Sequence, residues 1–444
     1  MKKFKFYLGM FFQILKAEKF FFPPKYKPVL LYDAYVFSNK TDKFLETYIQ
    51  LDDVNKLDLR FNEINIFILI KTLLKNGIKK FLINYTYEYI KSCNPKIIVN
   101  FTDADLRFYL QKKNFKKKIF ISIQNGYRNI LAVDLFSKLM TENHKDLGCD
   151  YILCFGQAIA KYYEKYIDCK ALPVGSFKNN FFLKNNKKKI NSEKIKKISF
   201  ISQFRYDPIK GTKLEIDKNN KIKEYVTINP GKVGNIEGVP RKIFYRPEKI
   251  FLPKIQNKCR EMGLKLNIIG CSIRGEEEYA FFKDILGNDE FTHDKLTKTK
   301  IKNFEHLISL TRSIKDGGGE SYMKMLDSDI LFFVDSTLGY EALGIGKKAA
   351  SFSTRPSVFK DAGVLGKKGG FGWPNKFIDE KGLFWTNIYT NEEAERIINN
   401  IFEVSDDEWS KELLNINPQV MTYDNDNSVF KEILSKELKK NIYE

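Results

Sequence analysis

Residues 329–356 read DILFFVDSTLGYEALGIGKKAASFSTRP, and this stretch decides the fold. An apolar run of strand length ends at Asp335 and Ser336, and a helical pattern that contains Glu341 follows it. A second short apolar run, AASFS, comes directly after the helix. Two strands joined by a helix form a parallel pair with a right-handed crossover. The stretch therefore predicts a βαβ unit.

The same alternation extends through most of the chain. Strand-length apolar runs lie in PVLLYDA, PKIIVNFTDAD, KKIFISIQNG, CDYILCFG and CKALPVGS before the Lys-rich stretch, and in KISFISQFR and LKLNIIG after it. Helical capping patterns at Thr390–Glu393 and Ser405–Glu408 predict helices at the end. The expected fold is α/β, with two Rossmann-like parallel-sheet domains that face a cleft, as in GT-B enzymes, and C-terminal helices.

Composition and chain length set the domain boundaries that we expect. At 444 residues the chain is long enough for two α/β domains. The Lys-rich run between them, with no apolar periodicity, is typical of a solvated linker. The predicted parts are a basic aromatic segment (1–28), an N-terminal Rossmann-like domain (29–183), a linker (184–197), a C-terminal Rossmann-like domain (198–390) and C-terminal helices (391–444).

The net charge is +20, from 75 Lys and Arg against 55 Asp and Glu. Such a surplus could bind nucleic acid, but the chain has no RNP1 sequence, zinc finger or basic region with heptads. The lysines also accompany abundant Ile, Asn and Phe, as AT-rich coding produces. Six Cys without CxxC spacing and three His predict no metal site. We therefore expect no nucleic-acid partner. The anionic partners that we expect instead are phosphorylated small molecules and a membrane surface.

The first 22 residues, MKKFKFYLGMFFQILKAEKFFF, combine basic and aromatic residues. The apolar part lacks an A-x-A-like cleavage site and is shorter than the roughly 20 residues that a spanning helix needs. Two interpretations stay open, a helix on the inner-membrane face and a helix packed on the protein itself. We expect a cytoplasmic protein, peripheral on the inner membrane in the first case.

Polar residues that follow predicted strands are the candidates for chemistry, because ligands of parallel sheets bind at the carboxyl ends of the strands. Ser336 and Thr337 begin a helix whose free N–H groups suit a diphosphate, and Glu341 would accept hydrogen bonds from ribose hydroxyls. Arg355 follows the next strand and would add positive charge at the same rim. The spacing of these residues alone fits equally well an ordinary βαβ unit whose helix is capped and binds no nucleotide.

The segment from Asp329 resembles the nucleotide-binding unit of GT-B glycosyltransferases and of UDP-N-acetylglucosamine 2-epimerases. More closely, the chain resembles the bacterial surface carbohydrate (O-antigen) biosynthesis family named after a leptospiral O-antigen protein. The resemblance rests on FISIQNGYR, CDYILCFG, PVGSFKNN, SFISQFR, DSTLGYEALGIGKKAASFSTR, FGWP, LFWTN and SDDEW, which occur in order. It implies the fold and the pathway more firmly than a reaction.

The resemblance implies a role for each candidate residue. The donor nucleotide would contact Ser202, Gln203, Arg205, Ser336, Thr337, Glu341 and Arg355. The N-terminal domain would bind the acceptor, with Gln124 and Asn125 on sugar hydroxyls. Asp103, and after it Asp33, would be the general base of an inverting reaction. No cofactor is implied besides the nucleotide-sugar, which is the donor substrate.

These features predict a metal-independent glycosyltransferase that moves a sugar from a nucleotide-sugar to a lipid-linked or polysaccharide acceptor of O-antigen or capsule synthesis. A UDP-sugar 2-epimerase, a polyol-phosphate transferase and a non-catalytic assembly protein of the same pathway remain alternatives. A metal-dependent GT-A enzyme is disfavoured, because the DxD form at Asp103 and Asp105 recurs at Asp327 and Asp329 and at Asp424 and Asp426.

Overall fold

The computed structural model describes residues 12–33, 48–78, 80–127, 146–182, 195–204, 225–226, 239–271, 275–287, 291–293, 319–361 and 380–439. The chain forms two compact units. The first unit comprises residues 1–125, 143–181 and 424–444, and the second comprises 126–142 and 182–423.

Strands and helices alternate along both units. The described strands are β1 (Glu18–Phe20), β2 (Val29–Tyr32), β3 (Val54–Leu57), β4 (Glu63–Asn65), β5 (Ile97–Asn100), β6 (Ile119–Ile123), β7 (Gly148–Cys154), β8 (Asp168–Pro173), β9 (Ile198–Ile201), β10 (Tyr225–Val226), β11 (Val239–Pro240), β12 (Leu266–Ile269), β13 (Phe291–His293), β14 (Ile330–Phe333), β15 (Lys348–Phe352) and β16 (Trp385–Thr386). The described α-helices are α1 (Ile66–Asn76), α2 (Phe81–Cys93), α3 (Leu106–Lys112), α4 (Gln157–Tyr166), α5 (Phe177–Phe182), α6 (Arg241–Phe244), α7 (Arg246–Glu261), α8 (Gly275–Leu286), α9 (Gly319–Leu326), α10 (Thr337–Gly344), α11 (Arg355–Asp361), α12 (Asn391–Glu403), α13 (Asp406–Val420) and α14 (Ser428–Lys439).

Each unit is built on a six-stranded parallel sheet. The strand order is β3-β2-β5-β6-β7-β8 in the first unit and β13-β12-β9-β14-β15-β16 in the second. All four residues of β2, β5, β9, β12 and β14 are buried, as expected for strands with helices on both faces. The predicted α/β class with two parallel sheets and C-terminal helices is confirmed.

The C-terminal helices divide between the two units. Helices α12 and α13 belong to the second unit, and the predicted box is present at the start of α13, where Ser405 and Glu408 cap each other. Helix α14 belongs to the first unit, where Phe430, Ile433 and Leu434 join the core of that sheet. The sequence grouped residues 391–444 as one segment, because it cannot show against which sheet an amphipathic helix packs.

Candidate functional site

The second sheet has one point where the direction of strand addition reverses. From β9 the chain adds β12 and β13 on one side, and it then returns to add β14, β15 and β16 on the other. In open parallel sheets the helices on the two sides of such a point leave a crevice at the carboxyl ends of the strands. Gln203 follows β9 and Asp335 follows β14, so the expected crevice lies beyond the strand ends that these two residues follow.

The helix that starts at this point, α10, brings two of the predicted donor residues to the crevice. Ser336 is the N-cap residue, as its position predicts, but its side chain makes no capping hydrogen bond within the described chain. Thr337 accepts a hydrogen bond at Oγ1 from the backbone N–H of Tyr127, at 3.2 Å. The Ser336 hydroxyl thus does not cap the backbone N–H groups of α10, as an N-cap serine commonly does.

Glycine residues bring α10 close to its neighbours. A Cβ atom on Gly339 would lie 2.2 Å from the Phe333 ring, and one on Gly344 would lie 2.7 Å from Met421. Contacts this short exclude any larger residue. The helix therefore packs tightly on β14 and keeps its N-terminus at the end of that strand.

Glu341 lies one turn into α10 and is 4% exposed. The Tyr322 hydroxyl of α9 donates a hydrogen bond to its Oε1 at 2.9 Å. This contact fixes the carboxylate, while carboxylate oxygens have further lone pairs for ligand hydroxyls. Tyr322 was not predicted, and a tyrosine in a short helix carries no signal for such a role.

Arg355 lies at the centre of a buried ionic cluster. Its guanidinium is fully buried, pairs with Glu248, and lies 3.3 Å from Asp335 and 3.5 Å from the amide oxygen of Gln203. The Phe244 ring centroid is 4.1 Å from Cζ. The sequence placed Arg355 at the rim of the diphosphate site. The structure buries its guanidinium, because two carboxylates and an aromatic face replace the water that a buried guanidinium loses.

Glu248 is the acidic partner that the sequence analysis missed. Burial raises the pKa of its carboxyl, and the neighbouring Arg355 partly offsets that rise. The sequence did contain a sign of this partner, because Glu248 lies on the apolar side of α7. The buried residues of that helix are Pro247, Glu248, Phe251, Leu252, Ile255, Gln256 and Cys259. A glutamate on the apolar stripe of a helix indicates a buried ion pair.

Ser202 joins two strand ends and does not face the crevice with its hydroxyl. It is 2% exposed, donates to Glu278, and accepts from the backbone N–H of Phe204 at 3.0 Å. Glu278 also accepts from the N–H of Cys271 at 3.0 Å and lies 3.5 Å from His293. These contacts give Ser202 a structural role. Arg205, also predicted to bind the donor, lies outside the described residues.

The first sheet has a corresponding reversal between β2 and β5, and Asp33 follows β2. Asp33 is 6% exposed, has a φ of 52°, and its Oδ1 has no hydrogen-bond partner among the described residues. Burial raises the pKa of this carboxyl, whereas Arg60 lowers it. A positive φ outside glycine costs energy and is frequent at functional sites.

Asp103, the first choice for a base from sequence, is fully buried among donors. Its Oδ2 accepts from the Tyr163 hydroxyl at 2.6 Å, and its Oδ1 accepts from the N–H of Asn125 at 3.1 Å. The Tyr109 hydroxyl donates to its backbone carbonyl at 2.8 Å. Asp103 therefore holds the loop after β6 in place, and the sequence could not show how completely it is enclosed.

The two predicted acceptor residues differ in exposure. Gln124 is 3% exposed, and its Oε1 accepts from the N–H of Phe155 at 2.9 Å, so it joins the ends of β6 and β7. Asn125 is exposed. Of these two side chains, only that of Asn125 is accessible to solvent or to a ligand.

The described residues contain no group of three or more His, Cys, Asp or Glu residues suited to hold a metal ion. No helix in these ranges has the length and apolar character needed to cross a membrane. A cavity of about 660 Å³ lies between residues 19–27 and the edge strand β3, and no predicted site residue lines it.

The fold defines a two-unit α/β protein with a six-stranded parallel sheet in each unit. A family model described as "putative O-antigen biosynthesis protein" matches residues 121–438, more than two thirds of the chain. The chain belongs to this family, which confirms the resemblance. No curated protein matches the sequence significantly.

Several solved structures are similar in fold. A "putative UDP-N-acetylglucosamine 2-epimerase" from Listeria monocytogenes is 12% identical with a TM-score of 0.48, and the match covers 94% of this chain and 97% of that one. The wall teichoic acid polymerase TagF is 11% identical with a TM-score of 0.47, covering 94% and 91%. A UDP-GlcNAc 2-epimerase from Neisseria meningitidis, bound to UDP-GlcNAc, is 11% identical with a TM-score of 0.46, covering 94% and 100%. Likenesses at this level assign no function.

Proposed function

We propose that the protein is a metal-independent glycosyltransferase that transfers a sugar from a nucleotide-sugar to a lipid-linked or polysaccharide precursor of O-antigen or capsule, at the cytoplasmic face of the inner membrane. Membership of the O-antigen biosynthesis family supports the pathway. The observation that carries the proposal is the strand reversal of the second sheet, where Ser336 begins α10 and Glu341 lies one turn further on. No cofactor is required besides the donor itself.

In the proposed complex the second unit holds the donor nucleotide. The diphosphate lies at the N-terminus of α10, where free N–H groups and the Ser336 hydroxyl donate to its oxygens. The ribose hydroxyls donate to Glu341. Arg355 acts indirectly, as a positioning residue that fixes Gln203 and Asp335 on the two sides of the crevice. Contact between Arg205 and the diphosphate stays a prediction.

In the first unit Asp33 becomes the preferred base, ahead of Asp103. A general base needs a free oxygen and a pKa closer to neutrality than that of an exposed carboxyl. Asp33 meets both conditions, since its Oδ1 has no hydrogen-bond partner in the described chain and burial raises its pKa. Asp103 has both oxygens in hydrogen bonds and serves to position Asn125, which would contact acceptor hydroxyls.

The test is a donor panel on the purified full chain, with binding measured by calorimetry and the released nucleotide identified by mass spectrometry. Ser336→Ala and Glu341→Gln should each weaken donor binding at least about 10-fold, as expected for a lost hydrogen bond to a charged or buried group. Matched controls are Ser435→Ala and Glu432→Gln on the exposed face of α14. If no nucleotide or nucleotide-sugar binds, and both site variants support glycan assembly in cells, the proposal fails.

The released nucleotide separates the alternatives. Transfer of a glycosyl group breaks the bond between sugar and diphosphate and releases a nucleoside diphosphate. Transfer of a polyol phosphate from a CDP-polyol breaks the diphosphate itself and releases a nucleoside monophosphate. An epimerase converts the sugar-nucleotide without acceptor and releases nothing, and an assembly protein leaves every donor unchanged. Only the first outcome agrees with the proposal.

A further inference from the structure

Helix α1 of the first unit presents an apolar surface to solvent. Its buried positions are Ile68 and Thr72, whereas Phe67, Ile70 and Leu74 are 43%, 52% and 83% exposed. The spacing of these three residues, i, i+3 and i+7, places them on one side of the helix. An ordinary surface helix exposes polar residues and buries apolar ones. On α1 the outer side carries large apolar residues instead.

An aromatic run lies beside this helix. Phe20, Phe21 and Phe22 are 46%, 64% and 83% exposed. Strand β1 pairs in parallel with β4, with Phe20 opposite Asn65, and the side-chain amide of Asn65 donates to the carbonyl of Phe22 at 2.8 Å. Asn65 is also the N-cap residue of α1. The run is therefore fixed at the start of α1.

The two groups together form a surface that we name the apolar face. It consists of Phe20, Phe21, Phe22, Phe67, Ile70, Leu73, Leu74 and Ile78, each at least 39% exposed. Exposed apolar residues that occur singly are normal, but eight of them on and just after one helix and on the run fixed at its start indicate an interaction surface.

The two chain segments that carry the apolar face are rich in lysine. Residues 12–27 and 63–80 contain eight lysines and only two glutamates. Lys71 and Lys75 of α1 lie 2.9 Å and 3.2 Å from Glu88 of α2. These two lysines pair with α2, and the remaining lysines leave the segments with a surplus of positive charge, as in proteins that lie on anionic lipid.

We propose that the apolar face docks on the surface of a bilayer that contains anionic phospholipid. The phenylalanine, leucine and isoleucine side chains enter the boundary between headgroups and acyl chains, and lysines of the same segments other than Lys71 and Lys75 contact lipid phosphates. A second copy of the chain suits this surface less well, because a twofold interface would bring two lysine-rich segments together. The inference goes beyond the proposed reaction and does not depend on it.

The experiment is co-sedimentation of the purified full chain with vesicles of phosphatidylcholine alone or with about one third phosphatidylglycerol. We expect binding to the anionic vesicles that weakens with added salt. Replacement of Phe22, Ile70 and Leu74 by serine should reduce the vesicle binding constant at least about 10-fold, because each side chain buries apolar area in lipid. Leu414→Ser is the matched control, since Leu414 is 75% exposed on α13 of the second unit.

Three results would overturn the proposal. They are the absence of binding to anionic vesicles, equal binding by the triple variant, and a dimer in light scattering that the triple variant abolishes while vesicles stay unbound. Circular dichroism and donor binding by the triple variant verify that both units still fold. Because vesicle binding is measured without donor or acceptor, failure of the proposed transferase activity leaves this test intact, and the reverse is also true.

Discussion

The strand reversals of the two parallel sheets differ in how their buried carboxylates are paired. In the second unit Asp335 and Glu248 meet a fully buried arginine, Arg355. In the first unit Asp33 is also buried, but its Oδ1 has no hydrogen-bond partner among the described residues and its backbone has a positive φ. The ion pairs with Arg355 hold Glu248 and Asp335 in position, whereas burial raises the pKa of Asp33 despite the nearby Arg60 and favours uptake of a proton. The comparison separates a positioning site from a site that we propose to be reactive.

The strongest test of the positioning site is Arg355→Met. The replacement preserves bulk and leaves Glu248 and Asp335 buried without their cation, so we expect the free energy of unfolding to fall by about 3–5 kcal/mol. Urea denaturation of the full chain measures the change. Arg260→Met, at an exposed position of α7, is the control and should change stability by less than about 0.5 kcal/mol.

A double variant refines this test. Arg355→Met combined with Glu248→Gln should be less destabilising than the sum of the two single variants, since the glutamine removes the charge that arginine had compensated. Strict additivity would contradict the buried cluster as the structure describes it.

The test of the reactive site is Asp33→Asn. Asparagine tolerates the positive φ and preserves the shape of the side chain, but it cannot accept the proton of an acceptor hydroxyl. We expect kcat for sugar transfer to fall by about 100-fold or more, with donor affinity unchanged. Asp53→Asn, an exposed aspartate of the same unit, is the control. Unchanged turnover in Asp33→Asn would remove Asp33 from the mechanism.

The sequence predicted the two sheets well because buried parallel strands are continuous apolar runs, such as VLLY at 29–32 and ILFF at 330–333. It also placed Ser336 and Glu341 correctly at the start and one turn into a helix. These features are local, so neighbouring residues in the chain suffice to specify them.

The enclosure of a charged side chain is not local, and there sequence reasoning fell short. The partners of Asp103 come from Tyr109, Asn125 and Tyr163, up to 60 residues away. The partner of Arg355 in α7 is 107 residues away. An aspartate after a strand has the same local pattern whether an oxygen lacks a hydrogen-bond partner among the described residues, as Asp33 Oδ1 does, or both oxygens are hydrogen-bonded, as in Asp103.

Asp103→Asn separates these two aspartates. The asparagine oxygen can still accept from the N–H of Asn125, and the Tyr163 hydroxyl can turn to accept from the new amide. We therefore expect a loss of about 1–3 kcal/mol in stability for the weakened buried hydrogen bonds, and kcat within about 10-fold of the original. Chemical denaturation and steady-state kinetics measure both. A loss of turnover as large as that of Asp33→Asn would show that Asp103 is the base.

The smallest expected effect is a gain in stability from Asp33→Asn at neutral pH. Burial raises the pKa of Asp33 above its ordinary value of 3.8, so the folded chain binds this proton more tightly than the unfolded chain does. The stabilising contribution of the protonated carboxyl is present below the ordinary pKa and is lost as the pH rises through the raised one. Asparagine has no such loss.

The stability of Asp33→Asn relative to the original chain should therefore increase from acidic to neutral pH, as thermal unfolding across that range would measure. A pH-independent difference would mean that Asp33 carries no raised pKa, and the contrast between the two strand reversals would then rest on geometry alone.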